Sequence, residues 1–330
     1  MSGDTRAFQA LAATVGESIT SRLADVEQRL TEIVEARDPG ATAPALVTLR
    51  AGGKRLRPLL VLTCGAIDDA NPEEAAALVS AGAAVELVHM ATLVHDDVLD
   101  DADLRRGKPT VYAENGREAA TQTGDMLFAL AFMELTASGD AAQVRALSDA
   151  SSGLAQGELL QREDAWDATV TRERYLRRCT LKTARLFEAA AQLGAHAGGR
   201  PELAEQFGAF GSKVGLAFQL ADDVLDVVAP TEVTGKTRGA DLLDGTVNLP
   251  LIVAAERDPA LADIDLRAIH TPEQAGNVCD RIAATGAPDD VLAEARQLVA
   301  EAKEMFGPEI SRTERQVLAS IADQAVGRNS

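Results

Sequence analysis

Apolar residues recur at helical spacing almost from end to end of the chain, and no sustained apolar–polar alternation of the strand kind interrupts them. The pattern predicts an amphipathic helix over about 5–37, ended by Asp38-Pro39-Gly40, and another starting near Pro58. Asn71-Pro72-Glu73-Glu74 reads as a helix start, with Asn71 as N-cap and Pro72 at the first helical position. That helix continues through an apolar stretch to about Asp100. Further helices fit about 115–137, 141–163, 171–197, 202–228, 246–256, 272–285, 288–305 and 309–326. No repeat array and no convincing linker divides them; the length over 1–330 allows about two domains or one large helical domain. The longest irregular segment runs from Pro230 to Asn248 and carries Lys236, Arg238 and Asp241. Loops of that length inside a domain often close over a ligand, which makes this one a candidate lid; a plain surface connection is the alternative.

Composition supports the helical reading. Hydrophobic residues make up 46% of the 330 and aromatics only 3%, so a sizeable core of closely packed small side chains is expected. The formal net charge of −19 argues against nucleic acid as a partner, because that binding needs a basic surface. Cys64, Cys179 and Cys279 are widely spaced, which suits buried thiols in a reducing compartment better than disulfides or a zinc site. The N-terminus has no signal-peptide pattern, and no uninterrupted apolar run is long enough to span a bilayer. A cytoplasmic protein is expected.

Against this background two acidic segments share one spacing. Asp96-Asp97-Val98-Leu99-Asp100 and Asp222-Asp223-Val224-Leu225-Asp226 each end a long apolar helical stretch. Residues four or seven apart share a helix face, so Asp96 and Asp100 lie together with His89, and Asp223 lies with Gln219 and Asp226. Carboxylates near a helix C-terminus oppose the helix dipole, and adjacent ones repel; bound cations would offset this. Hard oxygen ligands suit Mg²⁺, which takes a few carboxylates plus substrate phosphates. Two such clusters facing each other would hold several divalent cations and a polyphosphate. Basic residues complete that picture: Gly52-Gly53-Lys54-Arg55-Leu56-Arg57-Pro58 puts three cations at a helix entry, and Arg105-Arg106-Gly107-Lys108 follows the first cluster. Lys182 and Lys236 are further candidates.

At these residues, over roughly 52–250, the chain resembles the trans-isoprenyl diphosphate synthases, the polyprenyl synthetase family. The resemblance rests on Gly53-Lys54-Arg55-x-Arg57-Pro58, Glu86-Leu87-x-His89, His95-Asp96-Asp97-x-x-Asp100, Arg105-Arg106-Gly107-x-Pro109-Thr110 and Gly124-Asp125 in the first half. In the second half it rests on Gly157-Glu158-x-x-Gln161, Lys182-Thr183-Ala184, Phe218-Gln219-x-x-Asp222-Asp223-x-x-Asp226 and Gly235-Lys236-x-x-Gly239-x-Asp241-Leu242. It implies the isoprenoid synthase fold, a single all-α domain of about ten core helices around a central cavity, usually a homodimer. It implies that Asp96, Asp97, Asp100, Asp222, Asp223 and Asp226 hold about three Mg²⁺ bridging an allylic diphosphate. Arg105, Lys182 and Lys236 would contact that diphosphate, with Thr183 and Gln219 lining the reacting centre. Lys54, Arg57, His89 and Arg106 would hold isopentenyl diphosphate. The segment Gly245-Thr246-Val247-Asn248-Leu249-Pro250 departs from the pattern, since many members have Gly-Lys-x-x-Leu-Pro there.

The resemblance also frames product length. A bulky aromatic four or five residues before Asp96 would stop growth early, but those positions are Thr92 and Ala91. One turn further lie Leu87 and Val88, so the tunnel reads as open to a product of about six to ten isoprene units. Phe128 and Phe132 could form its floor, with ordinary core packing as the alternative. The expected primer is farnesyl or geranylgeranyl diphosphate. A geranylgeranyl diphosphate synthase is the alternative, and a non-catalytic subunit of a heteromeric synthase is the alternative of another class. A terpene cyclase fits less well, because its second metal motif has Asn/Ser/Glu character where this chain has Asp222-Asp223-x-x-Asp226.

Overall fold

The structure is a computed structural model that describes residues 3–50, 52–66, 70–105, 107–230 and 237–327, with side chains from residue 19 onward except at 41. Arg106 and Lys236 lie outside the described residues, as does the 231–236 part of the candidate lid. The chain divides into two compact units. The first comprises Met1–Ser151, Leu186–Gly211 and Phe306–Ile321; the second comprises Ser152–Arg185, Ser212–Met305 and Ala322–Ser330.

In the first unit, α1 (Gly3–Glu35), α2 (Pro39–Arg50), α3 (Leu56–Cys64), α4 (Pro72–Leu99) and α5 (Val111–Thr136) follow in order. The α4 helix is its centre, packed on α5, α3 and α1. Its start is as the sequence predicts: Asn71 Oδ1 accepts from the backbone of Glu73 and Glu74, and Glu74 Oε2 accepts from Asn71 N at 3.0 Å. Leu78, Val85, Leu87, Val88 and Ala91 are fully buried. By length and composition α4 could cross a bilayer, which the sequence reading did not allow for. Most of its apolar stretch is buried inside the protein, as expected of a core helix.

The pattern missed α2 because Pro39 and Gly40 read as a stop. Pro39 instead opens a helix, where no N–H donor is required, and Ala45 and Leu49 bury its inner face. The α5 helix starts earlier than expected, at a Thr110 N-cap, and Gly116 (φ 83°) breaks its first turns. A two-residue hairpin, β1 (Leu104–Arg105) with β2 (Lys108–Pro109), was also unforeseen. It is too short to show alternation.

The stretch expected as one helix over 171–197 is divided, with 171–185 in the second unit and 186–197 in the first. It runs as α7 (Arg172–Cys179), then a π turn (Thr180–Ala184), before α8 (Arg185–Ala197). Gly157, on α6 (Ala141–Asp164), lets the π turn come close: a Cβ there would sit 2.6 Å from Lys182 N. The second acidic cluster lies on α9 (Ala204–Val228). The segment after it contains a short helix, α10 (Ala240–Leu243). Next come α11 (Leu249–Ala255), α12 (Pro259–Ala262), α13 (Pro272–Ala284) and α14 (Ala287–Lys303) in the second unit, and then α15 (Arg312–Val326), most of which belongs to the first unit. Within the second unit α11 packs on α14, α13 and α7.

Candidate active site

The first cluster is built where α4 ends. Asp100 caps the helix, its N–H bonded to Asp96 O at 2.8 Å. The chain then turns back through Asp101, which has a left-handed φ of 48°. The hairpin that follows returns Arg105 to the helix end, where its Nε donates to Asp97 Oδ1 at 2.7 Å. Asp97 is buried, Asp96 is half-buried and Asp100 is exposed. These four predicted residues are therefore assembled together. His95 extends the cluster sideways, 3.4 Å from Asp125 and stacked on Phe128 at 5.9 Å between ring centroids. Gly124 makes room for that imidazole, since a Cβ would lie 2.2 Å from His95 Nε2. Phe128 thus faces His95, and Phe132 is half-buried. Along α4, Leu87, Val88 and Ala91 are buried, and half-buried Thr92 donates to His89 O at 2.7 Å.

The three cations at the α3 entry do not act alike. Arg55 (φ 48°) is buried and bonds Glu86 at 2.7 Å and also Glu27. Burial lowers its proton affinity, but the two carboxylates outweigh that and raise it. Arg55 is thus a structural pair-former. Lys54, Arg57 and His89 remain half-buried, with the Arg57 guanidinium over the Phe187 ring at 4.4 Å.

The second cluster sits deeper in its unit. Tyr175 Oη donates to Asp223 Oδ2 at 2.6 Å and Gln219 Nε2 donates to Asp223 Oδ1 at 2.8 Å. Thr183, on the π turn, donates to Gln219 Oε1 at 2.7 Å. Lys182, its neighbour, donates to Glu158 Oε2 at 2.5 Å. Burial, then the charges of Asp241 and Asp222, push the Asp223 carboxyl up to about 7. The described end of the candidate lid is tied to this cluster. Gly239 N donates to Asp226 O at 2.9 Å, Asp241 N points to Asp226 Oδ2 at 3.4 Å, and Asn248 Nδ2 donates to Asp241 Oδ2 at 3.1 Å.

Among the described residues no three acidic, His or Cys side chains converge closely enough to hold an ion unaided. The donor set still fits Mg²⁺, which completes its shell with water and substrate phosphate. The raised Asp223 carboxyl reflects burial first and the neighbouring Asp241 and Asp222 charges second.

Sequence reasoning missed Tyr175, the Asn248–Asp241 link and the Glu158 partner of Lys182. Tyr175 carried a faint signal: it is an uncharged aromatic inside Arg172-Glu173-Arg174-Tyr175-Leu176-Arg177-Arg178. Its partner lies 48 residues away, so no local spacing links them.

The polyprenyl synthetase family profile matches residues 40–284. Heptaprenyl diphosphate synthase component 2 of Geobacillus stearothermophilus is 39% identical over 74% of this chain and 76% of its own. Geranylgeranyl diphosphate synthase of Methanosarcina mazei is 34% identical over 96% of this chain and 98% of its own. Among solved structures, a polyprenyl synthase from Caulobacter crescentus complexed with calcium and isoprenyl diphosphate superposes with a TM-score of 0.87. It is 34% identical and covers 94% of this chain and 96% of its own.

Proposed function

The chain belongs to the polyprenyl synthetase family and is a trans-prenyltransferase; from that premise we propose the rest of its activity. It joins isopentenyl diphosphate head-to-tail to farnesyl or geranylgeranyl diphosphate and makes an all-trans product of about six to ten isoprene units. The observation that carries the reading is the repeated Asp-Asp-x-x-Asp spacing at the ends of two long helices, α4 and α9.

Asp96, Asp97, Asp100, Asp222, Asp223 and Asp226 hold Mg²⁺, about three ions. When bound, the metal supplies Lewis-acid stabilisation of the departing diphosphate. Arg105, Lys182 and Lys236 bind and orient the allylic diphosphate, with Thr183 and Gln219 at the reacting carbon. Lys54, Arg57, His89 and Arg106 hold the diphosphate of isopentenyl diphosphate. The allylic C–O bond ionises, the alkene attacks the cation, and the released pyrophosphate takes the proton. No protein nucleophile is required. The site must exclude the water that would quench the cation.

Product length follows from α4. Ala91 is small and buried, and neither Leu87 nor Val88 is aromatic. Incubation with Mg²⁺, isopentenyl diphosphate and farnesyl diphosphate, read by mass spectrometry, should give a ladder ending near one long product. Ala91→Phe should shorten it; an unchanged distribution would place the growing chain elsewhere. The Methanosarcina relative favours a second reading, and a stop at geranylgeranyl diphosphate would establish it. The relative named as a component favours a partner-dependent subunit, which inactivity of the folded protein alone would support. A homodimer is the proposed assembly.

A further inference from the structure

In the second unit four side chains form one hydrogen-bonded chain of fixed direction. Thr183 donates to Gln219 Oε1 at 2.7 Å, Gln219 Nε2 donates to Asp223 Oδ1 at 2.8 Å, and Tyr175 donates to Asp223 Oδ2 at 2.6 Å. The Gln219 amide can sit in only one of its two orientations here, because its oxygen accepts and its nitrogen donates. Both Asp223 oxygens are then occupied as acceptors.

Tyr175 is the member with no freedom of its own. Its side chain is fully buried, and the Arg178 guanidinium lies 5.3 Å from its ring centroid. Arg178 is itself buried, 3.4 Å from Asp164. A carboxylate can only accept, so the Tyr175 hydroxyl is the donor in this pair.

We propose that Tyr175 is a positioning residue: its clamped hydroxyl orients the Asp223 carboxylate, and through it the Gln219 amide, for the metal–diphosphate group. This rests on the proposed diphosphate site. Without the hydroxyl, Asp223 can rotate about its side-chain bond and Gln219 loses the partner that sets its amide.

The test compares the intact full-length protein with Tyr175→Phe, Asp223→Asn and the double variant. Each is titrated by calorimetry with inorganic pyrophosphate in Mg²⁺, and each is assayed for KM and kcat. Tyr175→Phe keeps the ring, so Tm should stay within about 5 °C. Its binding should weaken about tenfold, the loss expected for a hydrogen bond to a charged group, with KM for the allylic diphosphate rising in parallel. On the Asp223→Asn background the same change should add about twofold or less. Binding within twofold of the unsubstituted protein, or full additivity with Asp223→Asn, overturns the proposal while leaving the diphosphate site intact. Failure of the unsubstituted protein to bind pyrophosphate overturns the site reading and this one with it. Should Tyr175→Phe not fold, 3-fluorotyrosine serves instead. The chain has two tyrosines, so a Tyr112→Phe background leaves one resonance. That signal should shift on adding Mg²⁺ and pyrophosphate; an unmoved signal is the overturning result.

Discussion

Asp97 and Asp223 occupy the same place in two identically spaced clusters, and each is 5% exposed. Their surroundings differ in kind. Asp97 faces the Arg105 guanidinium, a cation returned to it by a short hairpin. Asp223 is held by neutral donors, the Tyr175 hydroxyl and the Gln219 amide, and has Asp222 and Asp241 nearby. A buried carboxylate with a fixed cation is balanced within the fold. Asp223, held among the described residues by neutral donors, has its carboxyl pushed up to about 7 by burial first and then by the neighbouring like charges. The same five-residue motif therefore gives one middle aspartate paired with an arginine and one held by a phenol and an amide. Charge balance belongs to the neighbourhood, not to the motif.

The strongest challenge to this comparison is to remove an outer aspartate from each side. Asp96→Ala and Asp222→Ala should each cut turnover by about a thousandfold or more while the fold survives. Near-normal activity in one alone would mean that only the other cluster serves the reaction.

Stability without metal separates the middle aspartates. Asp97→Asn removes the charge that Arg105 faces and should cost about 1–2 kcal/mol in urea unfolding at about pH 8. Asp223→Asn removes a buried charge, and the Tyr175 hydroxyl can turn to accept from the new amide, so stability should hold or rise. The pH dependence has the matching sign. The folded protein favours protonated Asp223, whose carboxyl lies at about 7 against 3.8 for an ordinary aspartate. The stability it contributes is complete below about pH 4 and is lost as pH rises through about 7. Metal-free protein should therefore lose Tm across that window, and Asp223→Asn should lose less. Equal slopes would show that Asp223 is already balanced.

The supporting glycines give the smallest contrast. A Cβ at Gly157 meets the backbone of Lys182, whereas one at Gly124 meets the His95 ring, which can swing aside. Gly157→Ala should cost about 2–3 kcal/mol and Gly124→Ala about 1 kcal/mol. Denaturant midpoints that rank them the other way would place the tighter contact at the first cluster.

Much of this was legible in the residues. Helical periodicity located α4 and α9 to within a few residues, because an amphipathic or buried helix must repeat its apolar positions with the helix turn. The Asn71 cap was legible because capping is local chemistry over three residues. The α2 helix was not, since proline was weighed as a breaker where it serves as a first helical residue. The π turn was not either. A π turn changes the register by one residue without changing the composition, and the close approach of Gly157 that accompanies it is a long-range fact.

The sequence by itself determined the helical class, the two aspartate clusters, the basic residues that accompany them and, through their order, the family. These are properties of spacing along the chain, where period and charge can be counted. Only the tertiary structure decided that Arg55 is a buried pair-former beside the half-buried Lys54 and Arg57, and that Arg105 returns to Asp97. It also decided that Tyr175 and Gln219 divide the two oxygens of Asp223 between them. Those partners lie 31, 8, 48 and 4 residues apart in the chain, and only the last separation is a helix repeat. Folding burial brings the others within bonding distance, and burial is what makes each pairing strong.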